Sequence, residues 1–349
     1  MKCVYFKHQL QFQNPARTSR GEMQTHTVYY IRITHQNKCA WGEAAPLPDL
    51  SIDPIEQIET HLIQCCTIIN DGFPAEHIDH SRFPAVAFAF ETALLALNNE
   101  KPFHLFDTEF SNGHSGIHIN GLIWMNSKEK MLESAFKKIS EGYSCLKFKI
   151  GALDFDEECR MLEHVRKYAN AFKLEIRLDA NGAFTPDDAL EKLSELKRFD
   201  IHSLEQPIKA NQVELMAEIC AKSPIHIALD EELIGIDHTQ MEALLKKIQP
   251  NFIVLKPTLV GGLNIADKWI QVAQKKSIGW WATSALESNI GLNAIAQWCS
   301  TYELAIPQGL GTGMLYENNI PSPLQIIGQK LFYQAHKIWE TVPIVNKNN

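Results

Sequence analysis

The sequence predicts an α/β protein: a (β/α) barrel preceded by a smaller α+β domain. Five short β-like runs, CLKFKI, LEIRLDAN, HSLEQP, HIALDEE and FIVLKP, close on charged residues. The steps from Lys149 to Asp179, Glu205, Asp230 and Lys256 are 30, 26, 25 and 26 residues. A repeat of that length is one strand plus one helix, and functional groups recurring at strand ends are what a (β/α) barrel presents at the C-terminal face of its sheet. The length of 349 residues accommodates a barrel of about 250 residues and a further small domain.

The elements follow in chain order. Residues 4–12 (VYFKHQLQF), 28–35 (VYYIRITH) and 39–46 (CAWGEAAP) alternate apolar and polar side chains and read as antiparallel strands, with a polar loop between the first two. Residues 54–70 and 85–99 carry apolar residues at helical spacing. Strands followed by helices suggest a compact α+β domain over 1–112, with SNGHSG at 111–116 as the linker. From residue 117 strand and helix patterns alternate: IHINGLIWM, a helix over 127–143, CLKFKIG, a helix over 154–170, LEIRLDANG, then TPDDALEKLSELKRF. Thr185, Pro186 and two aspartates supply a start for that last helix. LEQP, IALDEEL, FIVLKPTLVGG and IGWWATSALES continue the series, and 304–313 (LAIPQGLGTG) reads as a short eighth strand. Seven or eight such units favour a closed barrel over 113–314 rather than an open sheet. The tail, about 315–349, is expected to pack back on the first domain.

Composition narrows the function classes. With 45% hydrophobic and 21% charged residues the chain is an ordinary globular one, and a net charge of −8 argues against nucleic acid as a partner. The eight cysteines show no CxxC spacing, and the adjacent Cys65-Cys66 pair is poorly placed for a disulfide, so reduced thiols in the cytoplasm are expected. The N-terminal residues lack a signal-peptide pattern, and the most apolar stretch, residues 83–97, carries Glu91 and is too short to span a bilayer, so no membrane partner is expected. No GxGxxG or GxxxxGK[ST] segment supports nucleotide binding. The sequence leaves the oligomeric state open.

Side chains on a strand alternate faces, so Lys147 and Lys149 share one face, as do Arg177, Asp179 and Asn181. Asp179, Glu205 and Asp230, on successive strands, could converge on one ion. An all-carboxylate set without thiol or imidazole favours Mg²⁺ or Mn²⁺ over Zn²⁺. Lysines on the second and sixth strands would face each other across a substrate. An amine base needs its neutral form, and neighbouring cations disfavour protonation. A metal beside it can take up charge on a substrate carboxylate as its α-proton leaves. Taken singly, KxK is most often a solvated strand face, DAN a turn and LDEE a helix cap. Read together, in order and at barrel spacing, they describe a site.

The ordered set KFK, RLDAN, LEQP, LDEE and VLKP resembles the muconate-lactonizing subgroup of the enolase superfamily. GEAAPLPDLS at 42–51 resembles the end of that family's capping strands, and FETALLAL at 90–97 its helical core segment. The resemblance covers essentially the whole chain. It implies a (β/α)7β modified TIM barrel with an α+β N-terminal capping domain, and Mg²⁺, for which Mn²⁺ can substitute, on Asp179, Glu205 and Asp230. It also implies acid/base lysines on opposite substrate faces, Lys149 and Lys256, with Lys147 supporting the former.

Within the subgroup, WATSALESNIGLNAIAQW and GLGTGMLYENNIPSPL are similar to the o-succinylbenzoate synthase family of menaquinone biosynthesis. That similarity implies a lyase acting on a small carboxylate. Lys149 would remove the α-proton of 2-succinyl-6-hydroxy-2,4-cyclohexadiene-1-carboxylate, leaving a metal-stabilised enediolate. It would then protonate the departing hydroxide in a syn elimination, with Lys256 remaining charged. Arg177, Asn181, Thr283, Ser284 and Gly311 in the Gly309–Gly313 loop are the implied substrate contacts, with Arg20 on a loop closing over the site. N-succinylamino acid racemases and dipeptide epimerases share the ligands and lysines and stand as the alternative. The absence of an acidic residue in IPQGLGTG to meet a dipeptide ammonium counts against an epimerase.

Overall fold

The computed structural model describes residues 1–18 and 21–340. It opens with a three-stranded antiparallel sheet, β1 (Lys2–Thr18), β2 (Gly21–His35) and β3 (Lys38–Ala44), in that spatial order. Both faces of this sheet carry buried side chains. On one, Tyr29, Ile31 and Ile33 pack with Leu62 and Ala89 from helices α1 (Ile58–Asn70) and α2 (Pro84–Leu97). On the other, Leu10, Val28 and Tyr30 pack with Leu259, Ala285 and Ile290 from the second half of the chain. The alternation in β2 therefore separates two cores rather than core from solvent. Gly42 makes the first contact possible, because a Cβ there would stand 1.9 Å from the Ala89 carbonyl oxygen.

After β4 (Gly116–His118) come seven parallel strands in one sheet, neighbours in chain order. They are β5 (Gly121–Ile123), β6 (Cys145–Lys149), β7 (Glu175–Asp179), β8 (Ser203–Glu205), β9 (His226–Leu229), β10 (Phe252–Leu255) and β11 (Gly279–Ala282). Helices α3 (Lys128–Ser140), α4 (Phe155–Tyr168), α5 (Ala189–Leu196), α6 (Val213–Lys222) and α7 (Met241–Ile248) fill the connections up to β10. The short α8 (Pro257–Val260) and α9 (Leu263–Lys275) precede β11, and α10 (Asn289–Cys299) follows it. Thr185 and Asp188 bond each other reciprocally, N–H to Oδ1 at 2.9 Å and N–H to Oγ1 at 3.3 Å, in a turn ahead of α5, which begins at Ala189 rather than at residue 185.

The eighth strand expected at 304–313 is reduced to two single parallel bridges among the described residues. Gly309 bridges Thr283 beside β11, and Gln308 bridges Ile119 beside β5. Pro307 lacks an N–H, and Gly309, Gly311 and Gly313 weaken any longer ladder.

Two carboxylates tie the N-terminal elements to the ends of the last helices. Glu43, on β3, accepts the N–H groups of Ser288 and Gly291 (both 2.7 Å) and the Ser288 hydroxyl (2.6 Å) at the start of α10. Glu91, on α2, accepts the N–H groups of Leu263 (2.5 Å) and Asn264 (2.9 Å) at the start of α9. Acceptors with negative charge satisfy the orphan donors of a helix N-terminus. Since these helices start where strands end, the two contacts set the N-terminal sheet over the C-terminal end of the parallel sheet.

The tail follows a split course. Phe12 bridges Tyr316, and Glu317 N–H donates to Gln11 at 2.9 Å, extending the edge of β1. The hairpin β12 (Leu324–Ile327) and β13 (Lys330–Tyr333) then pairs with β4, and Trp339 stacks on Phe103 at 4.1 Å. Among the described residues no helix is long and apolar enough to cross a membrane.

Candidate active site

Parallel pairing carries the charged strand ends into one row. Lys149, Asp179, Glu205 and Ala228 are successive register partners across β6 to β9, while Asp230 and Lys256 stand just past β9 and β10. One row deeper, Lys147 pairs with Arg177 and Arg177 with Ser203. One carboxylate oxygen from each of Asp179, Glu205 and Asp230 lies within 4.8 Å of the others, and the three residues are 0%, 1% and 2% exposed.

Three ammonium groups face these three carboxylates. Lys147 Nζ donates to both oxygens of Glu205 (2.7 and 2.6 Å) and lies 2.9 Å from Asp179 Oδ2. Lys149 Nζ donates to Asp179 Oδ2 at 2.6 Å and to Asn181 Oδ1 at 2.8 Å. Lys256 Nζ donates to Asp230 Oδ2. Burial works against all three ammonium charges. For Lys147 the attraction of Asp179, Glu205 and Asp230 outweighs it and holds the pKa above the usual lysine range. Lys256 is raised too, chiefly by Asp230 against burial. Lys149 ends below the usual range, because burial and repulsion from Lys147 and Lys256 exceed the pull of Asp179. Burial, then repulsion from Asp179, pushes Glu205 well above the carboxylate range even with Lys147 on both its oxygens, so a cation placed here would relieve it.

The backbone beyond the ligand row is strained to fit. Asn181 and Gln206 adopt positive φ, 45° and 43°. Asn181 N–H bonds Asp179 Oδ1 at 3.0 Å, and its Nδ2 donates to Glu231 at 2.9 Å. Gln206 Oε1 accepts the N–H groups of Asp230 (3.1 Å) and Glu232 (3.3 Å), fixing the turn that carries Asp230.

A cavity of about 220 Å³ opens above this cluster. Lys147, Lys149 and Lys256 form its charged end, and Met23, Leu47, Leu50, Leu122 and Trp124 supply apolar wall. Thr283, Ser284 and Gly311 line it as expected. The donors of Thr283 and Ser284 are already committed, however. Their N–H groups go to Leu255 O (2.9 Å) and Gly309 O (3.1 Å), and their hydroxyls to Gly309 O (3.0 Å) and Glu287 (2.5 Å). Arg177 does not reach the cavity. It turns down from its row to Glu175 (2.6 Å) and Pro307 O (2.9 Å), stacks on Trp281 at 4.6 Å and is 1% exposed. Asn181 is absent from the lining and instead holds Lys149. Arg20 lies outside the described residues.

Two lining groups were not singled out from the sequence, Asn120 and, within the Gly309–Gly313 loop, Thr312. Asn120 Oδ1 and Thr312 Oγ1 are buried without a hydrogen-bond partner. Thr312 had a signal, its place in the glycine-rich GLGTG loop, whereas Asn120 sits in an ordinary alternating run.

Residues 130–330 match the family described as enolase C-terminal domain-like, and residues 2–97 the one described as MenC, N-terminal domain. The o-succinylbenzoate synthase of Desulfotalea psychrophila is 42% identical over 94% of this chain and 98% of its own. The chain belongs to the o-succinylbenzoate synthase family of the enolase superfamily. It is accordingly an enzyme of the lyase class. The crystal structure of MenC from Desulfotalea psychrophila superposes with a TM-score of 0.86 at 40% identity, covering 95% of this chain and 99% of that one. A dipeptide epimerase from Enterococcus faecalis, solved with Mg and L-Leu-L-Tyr, gives 0.82 at 19% identity, over 95% and 96% of the two chains, a likeness of fold alone.

Proposed function

We propose that this enzyme dehydrates 2-succinyl-6-hydroxy-2,4-cyclohexadiene-1-carboxylate to 2-succinylbenzoate, with Mg²⁺ as cofactor and Mn²⁺ as a substitute, in cytoplasmic menaquinone biosynthesis. The observation that carries the reading is the meeting of three buried carboxylates and three lysines at the charged end of one capped cavity. Residues 113–314 would act as a (β/α)7β barrel, the bridges of Gln308 and Gly309 standing in for its last strand, and 1–112 as the cap. Eight unpaired cysteines suit a reducing cytoplasm.

The donor set fits a hard divalent cation. It is all oxygen, triply acidic and buried, and the positive charge facing it comes from the ammonium groups of Lys147, Lys149 and Lys256. Asp179, Glu205 and Asp230 would hold the ion, whose charge would offset the negative charge that grows on the substrate carboxylate. Lys149, oriented by Asn181 Oδ1, takes the α-proton from the carboxylate-bearing ring carbon. The electron pair released moves into the ring, the carbon–hydroxyl bond breaks, and the same lysine returns the proton to the hydroxide, which leaves as water. Lys256, paired with Asp230, stays an ammonium on the other side of the cavity. Leu47, Leu50, Leu122 and Trp124 face the ring and exclude water, while Thr312 and Asn120 meet the polar succinyl end.

An ultraviolet assay with the cyclohexadiene substrate tests the reading. Diene absorbance should disappear with Mg²⁺ and persist in excess EDTA, and Lys149→Ala should lower kcat about 10²–10⁴-fold, the usual worth of a general base. Near-native kcat in that variant would remove Lys149 from its role. Because Lys149 and Lys256 line the same cavity, racemization of N-succinylamino acids is the second reading. Solvent deuterium entering the α-position of such amino acids, without any dehydration, would establish it instead.

A further inference from the structure

A second cluster of metal-ligating side chains lies in the N-terminal domain, and none of its members lines the cavity. His61 and Cys65 are four residues apart on α1 and so point from one face of the helix. His80, in the connection to α2, folds back onto that face, with its Nδ1 3.1 Å from His61 Nε2. One ligand atom from each of the three residues lies within 4.8 Å of the other two. In a tetrahedral zinc site with bonds of about 2.0–2.1 Å, two nitrogens stand about 3.3 Å apart, and a sulfur stands about 3.5 Å from each. The observed pair is close to that edge before any ion arrives.

The rings are held as a preorganised site requires. His61 stacks on Phe83 at 3.9 Å with planes 9° apart, and His80 lies against Phe90 at 5.4 Å. Cys65 is fully buried and His61 nearly so, while His80 is half-buried, which leaves one side open. Two histidines sharing a hydrogen bond in a core would be the simpler account. That account leaves Cys65 as one more buried core side chain, whereas its sulfur also stands within 4.8 Å of a ring nitrogen of each histidine.

We propose that His61, Cys65 and His80 form a second metal site for a thiolate- and imidazole-binding divalent ion, Zn²⁺ in the first place, with a fourth position open to water. Nitrogen and sulfur donors separate it from the oxygen triad, which selects harder ions. Burial lowers His80 to about 4, so its ring is neutral near pH 7 and able to ligate. Burial also raises the Cys65 thiol to about 12, so the ion must displace that proton to solvent. The proton shared by His61 and His80 moves to the other nitrogen of its ring. A bound ion would clip the connection between α1 and α2 onto α1 and stabilise the cap without touching the cavity.

Co²⁺ titration of the full-length protein, in excess Mg²⁺ to keep the carboxylate triad occupied, tests this. One equivalent should produce both the visible bands of tetrahedral cobalt and a thiolate-to-cobalt charge-transfer band, and Zn²⁺ should bleach both. Cys65→Ser should abolish the charge-transfer band, and His80→Gln should abolish the visible bands, with circular dichroism confirming that each variant is folded. Cys3 and Cys66, whose sulfurs lie 3.3 Å apart nearby, are the competing thiols, and Cys3→Ser and Cys66→Ser should leave the spectrum intact. Absence of a charge-transfer band, its survival in Cys65→Ser, or its loss in Cys66→Ser would overturn the assignment.

Discussion

Replacing Lys147 by methionine should destabilise the metal-free enzyme far more than the Mg²⁺-loaded one. In the structure Asp179, Glu205 and Asp230 are balanced by Lys147, Lys149 and Lys256, all buried. Lys147 holds both oxygens of Glu205 and approaches Asp179, so Lys147→Met strips the centre of the cluster of its cation and leaves Glu205 either as an uncompensated buried charge or neutralised by a proton. Breaking a buried ion pair from one side costs about 3–5 kcal/mol. Unfolding entropy of about 2.1 cal/mol/K per residue gives about 0.73 kcal/mol/K for 349 residues, so the loss corresponds to a Tm lower by about 4–7 °C. A divalent ion on the same carboxylates supplies the missing charge, so most of the difference should vanish when Mg²⁺ saturates the site. Thermal unfolding followed by circular dichroism, with EDTA and with Mg²⁺ at matched ionic strength, measures both shifts. An equal Tm deficit in the two conditions would show that Lys147 and the metal do not share these carboxylates.

Three further outcomes can be checked on purified variants. Asp53 accepts the Ala85 N–H at the start of α2, its Oδ2 is buried without a partner, and burial raises its carboxyl from 3.8 to about 7. The folded state then keeps a proton that the unfolded chain has released, so this stability is present in acid and lost as pH rises from about 4 through about 7, about three units or at most about 4 kcal/mol. Asp53→Asn should flatten that slope in urea unfolding at about pH 5 and about pH 8, and an unchanged slope would count against the buried acid. Gly262 has φ +119°, and a Cβ there would lie 2.1 Å from the Glu91 oxygen that caps α9; Gly262→Ala should cost at least about 2 kcal/mol in chemical denaturation. Arg177→Met should cost about 3 kcal/mol of stability yet leave KM unchanged, because Arg177 faces Glu175 and Trp281 rather than the cavity; a raised KM would restore it as a substrate contact.

Much of the site was legible in the chain because strand periodicity and repeat length are local properties. Steps of 25 to 30 residues between charged strand ends specify one strand and one helix, and parallel register then puts Lys149, Asp179 and Glu205 in one row. The same periodicity placed Arg177 on the right face but could not say where its side chain turns. That depended on Glu175 and Pro307, the latter 130 residues away. Thr283 and Ser284 line the cavity, yet their donors are taken by Leu255, Gly309 and Glu287, partners known only once the fold is closed. Asn120 and Thr312 emerge only because folding leaves them unpartnered.

The strand–helix alternation, the residue types of the carboxylate and lysine set, and the order in which they arrive are all written along the chain. Only the packed chain brings β3 and α2 onto the helices that follow the parallel strands, through Glu43 and Glu91 bonded to helix starts 245 and 172 residues away. It also decides which polar atoms remain free to meet a ligand. Periodicity records the torsions and faces of neighbouring residues. A hydrogen bond between distant segments exists only after the whole chain has packed, and a donor committed there is no longer available at the site.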